Sequence, residues 1–204
     1  MLFEIIYMDI PAIKIRLHPL ANEFLFKYYN VLRRIFSNVL GQLETDYLSI
    51  ALIDKSGQLI FLSSKPSIEQ NLIEKNLLEH DGCFQPHFIY QNKPSVWTDL
   101  YITEYQKPLF QCKQAIPALQ TGIAIPADFE DYRVIFSFGF NSISPLMQIN
   151  LVSQSEKLLA IGKYCLREII KAIPLPKHNE LTKFKPHLEL IINNNLVNYE
   201  NNIR

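Results

Sequence analysis

Thr121-Gly122-Ile123-Ala124-Ile125-Pro126 and Tyr132-Arg133-Val134-Ile135-Phe136-Ser137-Phe138-Gly139-Phe140 decide the fold. Both runs are apolar and β-prone, and Ala127-Asp128-Phe129-Glu130-Asp131 gives them a polar connection, so they read as paired strands. A helix is expected next, from Ser144 to about Ile170. Met147, Leu151, Leu158, Leu159, Ile161, Cys165 and Ile169 form its apolar stripe.

Upstream the same grammar repeats. Tyr47 to Ile53 and Gln58 to Ser63 are short β-prone runs around Asp54-Lys55-Ser56-Gly57, where Gly57 supplies a positive φ. Before them, Phe24, Leu25, Tyr28, Val31, Leu32, Ile35, Phe36 and Val39 recur at helical spacing, which predicts one helix from Asn22, its N-cap, to Leu40, with Gly41 as C-cap. Ser67-Ile68-Glu69-Gln70 has capping-box spacing and opens a helix to about Glu79. Residues 80–97 read as loop or short helix. One or two helices follow over Thr98 to Ala115, interrupted at Pro108. A fifth strand is expected within 85–91 or near the N-terminus. The order predicts an α+β fold, an α/β/α sandwich with a central antiparallel sheet of PAS/GAF-like kind. Residues 1–173 form this domain, and 174–204 form a polar tail with one helical candidate at Pro186 to Leu196.

Composition narrows the classes. Of 204 residues, 48% are apolar and 12% aromatic, enough for a globular core. Twenty basic and twenty acidic side chains cancel, so the chain lacks the field of a broad nucleic-acid-binding face. Cys83, Cys112 and Cys165 are isolated, with no CxxC pair for zinc or redox chemistry. No apolar run of about 18 residues appears, nor a basic leader with a cleavage site. A cytoplasmic protein with no membrane partner is expected. No P-loop, GxSxG, GxGxxG or HExxH occurs, so neither an enzyme nor a cofactor or metal is expected.

A binding role rests on Phe84, Phe88, Tyr90, Trp97, Tyr101 and Tyr105, crowded into a segment without strong periodicity. Such rings with a few polar groups make small-molecule pockets, or else simply close a core. Trp97 offers an indole N–H, Asp81 an acceptor, and Ser137 a hydroxyl on one sheet face; Phe84 and Tyr90 complete the candidate ligand-binding set. His80, Asp81 and Cys83 are close in sequence but lack metal spacing, and read as loop residues.

Gly122 to Pro126 with Ile135-Phe136-Ser137 resembles the "sGvtiP" strand and its neighbour in the autoinducer-binding domain of LuxR-type regulators. Lys93-Pro94-Ser95-Val96-Trp97 is similar to the family's stretch ending in a pocket tryptophan, and Asp81-Gly82 falls where the family has Asp-Pro. The resemblance spans roughly residues 22–170. It implies a sensor of a small amphiphilic ligand, with Asp81 bonding a ligand amide and Ser137 where a Ser or Thr faces the acyl-homoserine lactone. Two departures stand out. Ser67 to Leu78 has no aromatic, where the family carries a Trp and a Tyr for the lactone head group. Leu181-Thr182-Lys183-Phe184-Lys185 is the only trace of the family's helix-turn-helix start, so no direct DNA binding is expected. The expectation is therefore a ligand-sensing regulatory domain that homodimerises or pairs with a related regulator. The alternative is a dimerising antagonist without a ligand.

Overall fold

Asp54 turns the first hairpin. Its Oδ1 accepts from the Ser56 and Gln58 backbone N–H groups (2.8 and 2.9 Å) and from Ser56 Oγ, while Gly57 takes φ +80°. This closes β2 (Tyr47–Ile53) on β3 (Gln58–Ser63), as the sequence predicted. The structure is a computed structural model and describes residues 14–116, 118–144 and 150–176. The second hairpin joins β5 (Thr121–Phe129) and β6 (Tyr132–Phe140). Its turn is only Glu130-Asp131, with Glu130 at φ +50°. The expected connection 127–131 is thus mostly strand, because Ala127 to Phe129 pair with Val134 to Tyr132. Pro126 is tolerated because β5 is an edge beyond the two residues it shares with β4 (Ser95–Val96).

The sheet runs β1-β3-β2-β6-β5-β4, with β1 at Arg16–Leu17. It is mixed rather than purely antiparallel, because β1 lies parallel to β3. The extra strands are these two-residue edges; residues 85–91 instead hold a helix, α4 (Pro86–Tyr90), with proline in its first turn.

One sheet face carries Leu48, Ile50, Leu52, Val134, Phe136 and Phe138, and packs on α1 (Ala21–Lys27), α2 (Tyr29–Ser37) and the last helix, α7 (Ser155–Ala172). The expected single helix 22–40 is two, broken at Tyr28 (φ −102°, ψ 9°). Asn22 does not cap it; the Leu20 N–H donates to His18 Nδ1 instead. Gly41 does take the left-handed conformation expected of a helix stop, at φ +90°. α7 starts at Ser155, later than Ser144; Met147 and the candidate helix at 186–196 lie outside the described residues.

Gly162 sets the closeness of α7. A Cβ there would lie 2.4 Å from Phe136 Cδ1. Glycine to alanine inside a helix normally gains about 1 kcal/mol. Here the ring contact reverses the sign: Gly162→Ala is expected to lower unfolding free energy by about 1 kcal/mol, read from urea melts.

The other face is covered by α3 (Ser67–Glu74), α4, α5 (Trp97–Leu100) and α6 (Gln106–Phe110). α3 ends at Glu74, and Ser67 makes no capping bond; Gln70 donates sideways to Glu74 (2.7 Å) instead of back to the helix start. Pro108 sits in the first turn of α6, where a missing N–H costs nothing. The helix therefore continues through it into a π-helical segment, Gln111–Ala115. Among the described residues no helix is long and apolar enough to cross a membrane.

Candidate functional site

Register lays out the floor of this second face row by row. Tyr47 lies opposite Gly139, which lies opposite Gly122. The next row is Ser63–Ser49–Ser137–Ala124–Ser95. Beyond it come Phe61, Ala51 and Ile135. Small side chains thus form a strip straight across the sheet. Ser49, Ser63 and Ala124 are buried, yet Ser137, on a central strand between them, is only half-buried.

Trp97 walls one side of that strip. Its indole lies flat on the glycine pair: a Cβ on Gly122 would meet Cδ2 at 2.3 Å, and one on Gly139 would meet Cη2 at 3.2 Å. The Tyr47 ring meets it edge-on at 5.8 Å. Among the described residues the indole N–H has no partner: Nε1 is buried without a hydrogen bond.

Asp81 is fully buried and its backbone bridges to Tyr101. Gly82 permits that approach, because a Cβ there would sit 2.1 Å from the Leu100 carbonyl oxygen. The carboxylate is already engaged: Oδ1 accepts from the Cys83 N–H (3.0 Å) and Oδ2 from Lys113 Nζ (2.8 Å). The Lys113 ammonium also lies 4.7 Å from the Trp97 ring, 5.5 Å from the Tyr101 ring and 3.4 Å from Cys83 Sγ. The π segment makes this possible by turning Cys112, Lys113 and Gln114 inward together. Gln114 accepts from Tyr101 OH and donates to the Gln120 carbonyl (both 2.9 Å). Burial alone would lower the Lys113 pKa, but Asp81, with Cys83 and Tyr101, outweighs it and holds the ammonium well above its usual range. Burial raises the Cys83 thiol pKa, and Asp81 adds to that, against an opposing pull from Lys113.

At the other end of the strip α3 lowers Glu69 onto the sheet, where Tyr47 OH donates to Oε1. The carboxyl is 1% exposed, and burial raises its pKa.

The predicted site residues divide. Trp97, Asp81 and Ser137 share this face, with Lys113 linking the first two. Phe84 shares it too, but packs edge-on against Phe61 (5.6 Å) and borders an outer cleft of about 370 Å³ between β1 and α4. Tyr90 is at the far end, under the Arg133 guanidinium (5.4 Å), which donates to the Ile89 carbonyl and to Asn92. His80 stacks on Tyr105 (3.5 Å) and pairs with Glu79, whereas Asp81 and Cys83 converge on Lys113. The three do not form a catalytic cluster. Lys113, Glu69 and Tyr47 were not among the predicted residues. The signal for Glu69 was its place beside Ile68 and Leu72 on the apolar side of α3; for Lys113, its place after Cys112.

No family profile matches the sequence, and no curated protein matches it. Solved structures do. SdiA in complex with octanoyl-rac-glycerol is 18% identical, with the match covering 74% of this chain and 65% of that chain at a TM-score of 0.54. Escherichia coli SdiA in another crystal form is 16% identical over 77% and 71%, at 0.50. CepR2 from Burkholderia cenocepacia, an N-acylhomoserine lactone dependent LuxR-family transcription factor, is 11% identical over 75% and 99%, at 0.51. The chain therefore spans just under two thirds of the first of these. Its architecture is that of an α+β sensor domain. More particularly, it has the fold of LuxR-type autoinducer-binding domains.

Proposed function

We propose that the chain is a small-molecule-sensing regulatory domain whose ligand lies over the serine strip, between the sheet and α3 to α6. The observation that carries this is the half-buried Ser137 on a central strand of the helix-covered face, between buried Ser49 and Ala124. Apolar walls with few polar groups suit an amphiphile. The neighbours add support, since one was solved in complex with octanoyl-rac-glycerol and another is N-acylhomoserine lactone dependent. Occupancy shifts the domain's equilibrium by differential affinity and is passed to a second copy or a related regulator, not to DNA through the described residues.

A second reading has its own observation. Lys113 already satisfies Asp81, so this part of the fold is complete without a ligand, as a dimerising antagonist requires.

Thermal unfolding separates the two. A ligand at a hundredfold excess over Kd adds about 2.7 kcal/mol, a rise of roughly 5–10 °C for a chain of this size. Octanoyl-rac-glycerol or N-octanoyl homoserine lactone is expected to give such a rise, and Ser137→Ile, which fills the space, to abolish it. If neither compound shifts the melting temperature, the sensor reading fails and the antagonist stands.

A further inference from the structure

Two carboxylates are buried on this sheet face, and they differ in what they lack. Asp81 is saturated by the Cys83 N–H and the Lys113 ammonium. Among the described residues Glu69 Oε1 accepts from Tyr47 OH, and Oε2 has no partner in hydrogen-bonding geometry. The Ser49 and Ser63 hydroxyls favour its charged form without closing a bond to Oε2. Among the described residues no ion pair includes it. A buried acceptor left open is costly to the fold, so it stands where a donor from outside would be rewarded. Tyr47 touches both Glu69 and Trp97, and Trp97 Nε1 is a buried donor without an acceptor. The same face therefore offers one open acceptor by the Ser49–Ser63 end of the strip and one open donor over the glycine pair, with Tyr47 in contact with both.

We propose that Glu69 anchors the ligand by its head group, so that the site selects amphiphiles whose head carries hydroxyl donors beside a carbonyl. Glu69 Oε2 takes the hydroxyl and Trp97 Nε1 gives to the carbonyl. The inference rests on the sensor reading and names its ligand class. Asp81, closed by Lys113, has no part in selection.

The test is calorimetric titration of the whole chain with octanoyl-rac-glycerol and with methyl octanoate, which keeps the acyl chain and ester but has no hydroxyl. The wild type is expected to bind the glycerol ester at least about tenfold tighter, the scale of a hydrogen bond to a charged group. Glu69→Gln keeps an acceptor for Tyr47 but loses the charge, and is expected to cut that preference at least about threefold. Tyr47→Phe/Glu69→Met removes donor and acceptor together; it should bind the two esters alike, with an unliganded melting temperature no lower than wild type. Equal binding of both esters by the wild type overturns the role of Glu69 and leaves the sensor reading intact. Binding of neither overturns both. A melting temperature reduced by several degrees in both variants also overturns the assignment, because Glu69 would then be satisfied within the fold.

Discussion

Lys113→Met is expected to lose about 3–5 kcal/mol of unfolding free energy, the cost of stranding one member of a buried ion pair. Lys113 and Asp81 are 6% and 0% exposed at the side chain and 2.8 Å apart. The methionine fills similar volume, so the loss is electrostatic rather than a cavity effect. It leaves Asp81 with only the Cys83 N–H as a described partner. The folded pKa of Lys113 is raised, so its contribution is complete below the unfolded value of about 10.4 and disappears only in strong alkali. Asp81→Asn/Lys113→Met should recover most of the loss, since replacing both partners removes the unpaired charge. Urea melts measure all three variants. The chain's one tryptophan supplies a second readout, because the ammonium lies over its ring and its removal changes the emission. An unchanged midpoint for Lys113→Met would mean that the pair contributes nothing.

How much of this was legible in the sequence depended on whether the cause was local. The β2–β3 hairpin was, because Asp54 and Gly57 close it within five residues. The strips of alternating residues on β5 and β6 were legible too, since period two alone places Ser137 opposite Phe136 and Phe138. The break at Tyr28 was not: nothing in Phe26-Lys27-Tyr28-Tyr29 stops a helix. Two-residue edges such as β1 carry no pattern at all, and exist because β3 offers them a free ladder.

The site was half legible for the same reason. Trp97 and Asp81 stood out by residue type and resemblance, and both fall on the covered face. Lys113 did not, because a lysine in a helical segment reads as solvated and only the π turn points it inward. Glu69 was read as the residue beside a capping glutamine, yet α3 has no side-chain cap and Glu69 is buried against the sheet. Its raised pKa gives a sign that can be checked. A carboxyl protonated more readily in the folded state adds stability below the unfolded value of about 4.3, and this is lost as pH rises through the folded one. The downward slope should vanish in Glu69→Gln.

Gly122→Val is the second large effect, expected to cost about 3 kcal/mol or more. Valine is favoured over glycine in a strand on intrinsic grounds, so the sign comes wholly from the tryptophan. A Cβ at this position would stand 2.3, 2.4 and 2.5 Å from Cδ2, Cε3 and Cε2 of Trp97. The ring has nowhere to slide. Gly139 lies beneath its far edge, Tyr47 meets it at 5.8 Å and the Lys113 ammonium lies over it. Strand β5 cannot yield either, since it pairs with β6 over its whole length. Overpacking of this kind costs about 1–3 kcal/mol where neighbours adjust, and more where they cannot. An indole forced off the glycine pair would no longer wall the proposed ligand site. Gly122→Val should therefore abolish ligand binding even at temperatures where it remains folded. Trp97→Leu/Gly122→Val should be less unstable than the two single losses predict, because the leucine vacates the ring plane that valine invades. Additive losses in that double-mutant cycle would mean that glycine is needed here for its backbone and not for the tryptophan.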